Sequence, residues 1–132
     1  MRWFPLLLAF FLTAPAQAAS LRDIRMEETL QQVAEQSSEG TPRAINDKIT
    51  DLGFEAQGDE LINRLSVDAD YAKRMQQDPL LIRTQLQASV CADLRFRRLL
   101  DMGATLTYHF MIKDSDEPVL TQSFIAEHCQ TM

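Results

Sequence analysis

The sequence predicts an α+β protein, a two-layer α/β sandwich, and three observations carry that prediction. Apolar residues recur at helical spacing in several stretches. In two other stretches they alternate at period two, each time around a polar turn. Two cysteines, Cys91 and Cys129, bracket the C-terminal third. The expected order is α-β-β-α-α-β-β: an antiparallel sheet of two hairpins, helices packed on one face, and one disulfide.

The chain opens on a targeting segment. Arg2 supplies one positive charge, Leu6 to Leu12 is apolar throughout, Pro15 breaks the run, and Ala16-Gln17-Ala18 is the small-x-small pattern read by signal peptidase. The run from Trp3 to Ala14 holds roughly a dozen apolar residues, where a bilayer span needs about 20. Residues 1–18 therefore read as a cleavable signal peptide, and residues 19–132 as a single α+β domain with no membrane insertion after cleavage.

Helical signals come next. Ser20 and Asp23 resemble a capping box, and Met26, Leu30 and Val33 repeat at i, i+4 and i+7, predicting a helix from about Leu21 to Glu35. Leu52, Phe54 and Ala56 then alternate with Gly53 and Glu55. Gln57-Gly58-Asp59-Glu60 is turn chemistry, and Leu61, Leu65 and Val67 share a parity that Asn63 interrupts. These make the first hairpin. Asp70 suits a helix cap before Tyr71–Gln77, and Asp78-Pro79 starts a second helical stretch through Ile82, Leu86 and Val90. Asp93 suits a further cap for Leu94, Phe96, Leu99 and Leu100, and Gly103 ends that segment. In the last hairpin, Leu106, Tyr108, Phe110 and Ile112 form one face of the first strand. A polar turn over residues 113–118 leads to a second strand, Val119 to Glu127, which delivers Cys129.

Composition bounds the function. The signal peptide takes one of 13 basic residues and none of 19 acidic ones, leaving 12 against 19 and a mature charge of −7. That excess repels nucleic acid and anionic lipid, both of which are held by Lys and Arg. Two cysteines in an exported chain read as a disulfide, here closing a loop of about 39 residues and contributing roughly 4 kcal/mol in the chain-entropy model.

No constellation for chemistry stands out. His109, His128 and Cys129 lack the spacing of a zinc site, and counting from Asp68 puts Lys73 and Pro79 where a calcium loop needs Gly and Glu. There is no Gly-x-Ser-x-Gly elbow and no glycine-rich phosphate loop. Catalytic residues, cofactors and metals are accordingly expected to be none. Arg95, Arg97 and Arg98 are the densest charge cluster. They fit a solvated helix end or, by the bidentate geometry of Arg, a docking patch for an acidic partner.

The run Cys91-x5-Arg97-Arg98-Leu99-Leu100-x2-Gly103, followed by Leu106-x-Tyr108-x-Phe110 and closing with Cys129, resembles a family of small secreted pseudomonad proteins. These are described as putative quorum-sensing-regulated virulence factors, a domain of unknown function. The resemblance implies an α/β sandwich and an exported protein; it brings no catalytic residues.

The functional expectation is a non-enzymatic interaction protein, periplasmic or extracellular, with an unknown protein partner and a homodimer as a compatible arrangement. Its candidate contacts are the outer sheet face around Thr107, His109, Met111 and Ile125, the three arginines, or an unpaired sheet edge. The competing class is a small periplasmic hydrolase or ligand-binding protein, which requires a concave pocket.

Overall fold

The computed structural model describes residues 14–130, with side chains described from Leu21 onward. Residues 1–13 of the expected signal peptide, and the side chains at its cleavage point, lie outside the described part.

The first helix, α1 (Ala14–Ser37), continues past the expected end at Glu35. It turns Leu30 and Ala34 fully inward, with Met26 and Val33 packed beside them. A two-residue strand absent from the sequence reading, β1 (Arg43–Ala44), follows. The first expected hairpin forms as β2 (Ile49–Gln57) and β3 (Glu60–Val67). Three helices come next: α2 (Ala69–Gln77), α3 (Pro79–Ala92) and α4 (Leu94–Asp101). The last hairpin is β4 (Thr105–Ile112) and β5 (Pro118–Phe124), closed by a 3-10 turn over Ala126–Cys129.

Helix starts follow their capping chemistry. Asp78 Oδ1 accepts the Leu81 N–H at 3.2 Å, and Pro79 occupies the first turn of α3. Asp93 Oδ1 accepts the N–H groups of Arg95 (2.9 Å) and Phe96 (3.2 Å) at the start of α4. For α2 the capping position is Asp68, and Asp70 lies inside the first turn. Gly103, with φ 107°, takes the left-handed conformation that ends α4.

The expected antiparallel sheet of two hairpins is not what forms. The sheet has five strands in the order β1-β2-β3-β4-β5, and β3 pairs with β4 in parallel, Glu60 opposite Thr105 through to Val67 opposite Ile112. The sheet is therefore mixed. Both hairpins exist, but what joins them is the segment α2–α4. A helical connection of that length carries the chain back to the end of the sheet from which β3 started, so β4 runs alongside β3 in the same direction. Local alternation cannot report that choice, because each strand shows the same period whichever way its neighbour runs.

Two irregularities adjust the register. Between Asp51 and Gly53 a bulge shifts β2 against β3, so Leu52 is 41% exposed although it shares parity with Phe54. Asp51 is buried there. Its Oδ1 accepts from Gly53 N (2.8 Å) and Asn63 Nδ2 (2.9 Å), while Asn63 Nδ2 also reaches Gly53 O at 3.1 Å. Asn63 thus breaks the apolar pattern because it satisfies the bulge across the hairpin. In β5, Leu120 pairs with Phe110 and Pro118 with Met111, leaving Val119 as the extra residue of a second bulge.

The core lies between the helices and one sheet face. Leu61, Leu65 and Val67 of β3, with Leu106, Tyr108 and Phe110 of β4 and Phe124 of β5, meet Leu30, Ala72, Met75, Val90, Phe96, Leu99 and Leu100 from the four helices. Cys91 and Cys129 are bonded, with Cα atoms 5.3 Å apart, and tie the end of α3 to the 3-10 turn. Among the described residues, no helix is long and apolar enough to cross a membrane.

Candidate functional site

Alternation along β3 and β4 sends every second side chain away from the helices. On β3 these are Glu60, Ile62, Arg64 and Ser66; on β4 they are Thr105, Thr107, His109 and Met111. Thr121 and Ser123 of β5 continue the rows opposite His109 and Thr107. Three of the four face residues picked out from sequence, Thr107, His109 and Met111, are thus aligned on one strand. Ile125 follows β5, 39% exposed, with its N–H donated to His128 Nδ1 at 2.9 Å.

Polar contacts order this face. Thr107 Oγ1 donates to Glu60 Oε2, so the Ser123 hydroxyl, 2.9 Å from Thr107 Oγ1, is the donor in that second contact. His109 Nδ1 lies 2.9 Å from Thr121 Oγ1. Arg64 sends both Nε and Nη2 to Glu55 Oε1. These bonds hold the Glu55 carboxyl below the usual carboxylate range, against a smaller opposing effect of burial. A shallow depression of about 220 Å³ lies between Gln57, Ile62, Arg64, Thr107 and His109. The surface is polar and flat, with Ile62 and Met111 set into it.

The three arginines do not share one direction. Arg97 reaches inward, donating to Cys91 O (3.4 Å) and Cys129 O (3.3 Å), the main-chain carbonyls of both bonded cysteines. Arg95 lies 5.1 Å over the Phe96 ring, and Arg98 is exposed in the last turn of α4. Sequence reasoning did not single out Arg83 on α3. It stands 4.7 Å over the Phe124 ring and donates to Gln122 Oε1 (2.6 Å) and Ser123 O (3.3 Å), with His128 Nε2 3.3 Å away. Gln87, one turn on, donates to His128 O at 2.6 Å. A helix pattern with polar residues four apart gives no sign that their partners lie some forty residues later.

His109 and His128 are engaged separately, and among the described residues no three His, Cys, Asp or Glu side chains stand together as a metal site.

The model of the family "Putative quorum-sensing-regulated virulence factor" matches residues 19–130. The chain belongs to that family. No curated protein matches it. This family member is similar to a putative secreted protein of Pseudomonas aeruginosa known from a crystal structure, at 45% identity and a TM-score of 0.81, covering 83% of this chain and 97% of the other. It is an exported protein. Two pilotins of type 2 secretion systems share its fold. The one from Vibrio vulnificus has 16% identity and a TM-score of 0.71, over 84% of this chain and 97% of that one. The one from Vibrio cholerae has 17% identity and a TM-score of 0.63, over 85% and 99%. The mixed sheet and its helical layer are therefore a recurrent arrangement, shared well beyond this virulence-factor family.

Proposed function

We propose that this family member is a non-enzymatic docking protein of the cell envelope that meets a protein partner with the sheet face turned away from α1–α4. One observation carries the reading: the four helices all pack on a single side of the sheet, leaving Glu55, Arg64, His109, Thr121 and Ser123 at the surface of the other, around the buried Thr107. Their side chains are already ordered by hydrogen bonds to one another, which lowers the entropy lost on contact. The use of this fold by pilotins of secretion systems supports a partner belonging to an envelope export apparatus. Cleavage after Ala18 belongs to the same proposal, and the family match beginning at residue 19 supports it.

Capture from the envelope fraction tests the reading, using the mature protein, whose first residue is expected to be Ala19. Thr121→Arg and His109→Glu put bulk and charge onto the exposed part of the face. Each should lower recovery of the partner about tenfold, the effect of losing roughly 1.4 kcal/mol at a contact, while leaving the melting temperature within a few degrees. Unchanged capture by both variants would remove the face from consideration.

A further inference from the structure

An exposed sheet offers a second way to recruit a protein, which is to add a strand at its edge. The sheet has two such sides, one closed by side chains and the other by a short strand with a serine side chain.

On the β5 side, the bulge residue Val119 gives its carbonyl to Gln76 Nε2 of α2 at 3.3 Å. Four residues on, Ser123 gives its carbonyl to Arg83 Nη2 of α3, also at 3.3 Å. Phe124 beneath carries the Arg83 guanidinium at 4.7 Å, and Gln122 Oε1 holds it at 2.6 Å, so the arginine is fixed in place. An incoming strand needs those carbonyls and the space beside them. Between the two blocked positions only Thr121 remains.

The opposite side is closed differently. Along β2, Ile49 O accepts from Ile45 N (2.9 Å) and Asn46 N (3.3 Å), Thr50 and Asp51 pair with β1, and Phe54 binds Ser38 Oγ through both its N–H (2.7 Å) and its carbonyl (3.2 Å). Strand β1 itself has two residues and follows Pro42, which has no N–H to offer.

We infer that Gln76 and Arg83 close the β5 edge as Ser38 and β1 close the β2 edge, so that this protein neither accepts a partner's strand nor pairs edge to edge with a second copy. The inference stands independently of the face assigned above.

Thr121 supplies the test. Two β5 strands pairing about a twofold axis centred on the open residue would bring Thr121 opposite its copy, so Thr121→Cys reports that dimer by oxidative crosslinking. In the otherwise native chain it should stay monomeric under mild oxidation. Adding Gln76→Ala with Arg83→Met, which keeps an apolar stem over Phe124 while removing the donors, should raise the crosslinked fraction about tenfold. If that double change unfolds the chain by circular dichroism, Gln76→Ala alone should still give a measurable rise. Ready crosslinking of the native background would overturn the inference. So would a folded, opened variant that crosslinks no more than the native one.

Discussion

Asn63 shows how one polar residue inside an apolar pattern acquires a reason. Buried at 4% exposure, it donates to Asp51 Oδ1 and Gly53 O, the two acceptors that the β2 bulge turns inward. Removing the donor takes this partner from Gly53 O and leaves Asp51 Oδ1 with the Gly53 N–H alone, in a low-dielectric setting, which costs about 1–3 kcal/mol. Asn63→Leu should therefore lower the unfolding free energy by that amount, and the urea midpoint with it, although it makes the strand more apolar; an unchanged or higher midpoint would show that the bulge tolerates the loss. Tyr108 makes a second residue-level case. Burial, aided by the negative charges of Asp93 and Asp51, pushes its hydroxyl up to about 12. An unfolded tyrosine ionises near 10, so the folded chain holds this proton more tightly. The resulting stability is complete below about pH 10, and it is lost as pH rises through 12, by roughly 3 kcal/mol at most. Tyr108→Phe should flatten the decline in stability between those two values in alkaline denaturant titrations.

At the scale of elements, the C-terminal turn is held twice. The Cys91–Cys129 bond fixes it covalently, and Arg97 and Gln87 fix it by hydrogen bonds to Cys129 O and His128 O. Replacing both cysteines by serine should cost up to about 4 kcal/mol, the loop-closure contribution, yet leave the turn docked. Adding Arg97→Ala to that background should release it, seen as fast amide hydrogen exchange confined to residues 126–130. Slow exchange in that triple variant would mean that Gln87 suffices.

Elements also mark where the sequence was legible. Both hairpins and the starts of α3 and α4 were readable, because alternation and the Asp78-Pro79 and Asp93 caps act within a few residues. The Ala126–Cys129 segment was not. Expected as the end of a strand, it turns after Ile125 into a short helix held by α3, a contact some forty residues away that no local pattern records.

For the whole molecule, the missed feature is the parallel join of β3 to β4 through α2–α4. On the proposed reading its consequence is functional: with the helices on one side and both sheet edges occupied, the face around His109, with Thr107 and Met111 buried within it, is what the sheet has left to offer. That face was picked out from sequence by the parity of β4 alone, whereas the commitment of Arg97 to the cysteine carbonyls was invisible there. The arginine run is thus split between a structural clamp and a solvated helix end.

The direct measurement is site-specific photocrosslinking in living cells. A benzophenone side chain is placed at His109 on the face, and in a second strain at Gln85, exposed on α3. The account predicts one protein adduct from His109 that Gln85 does not form. An adduct formed only from Gln85 would contradict it and move the docking surface to the helices.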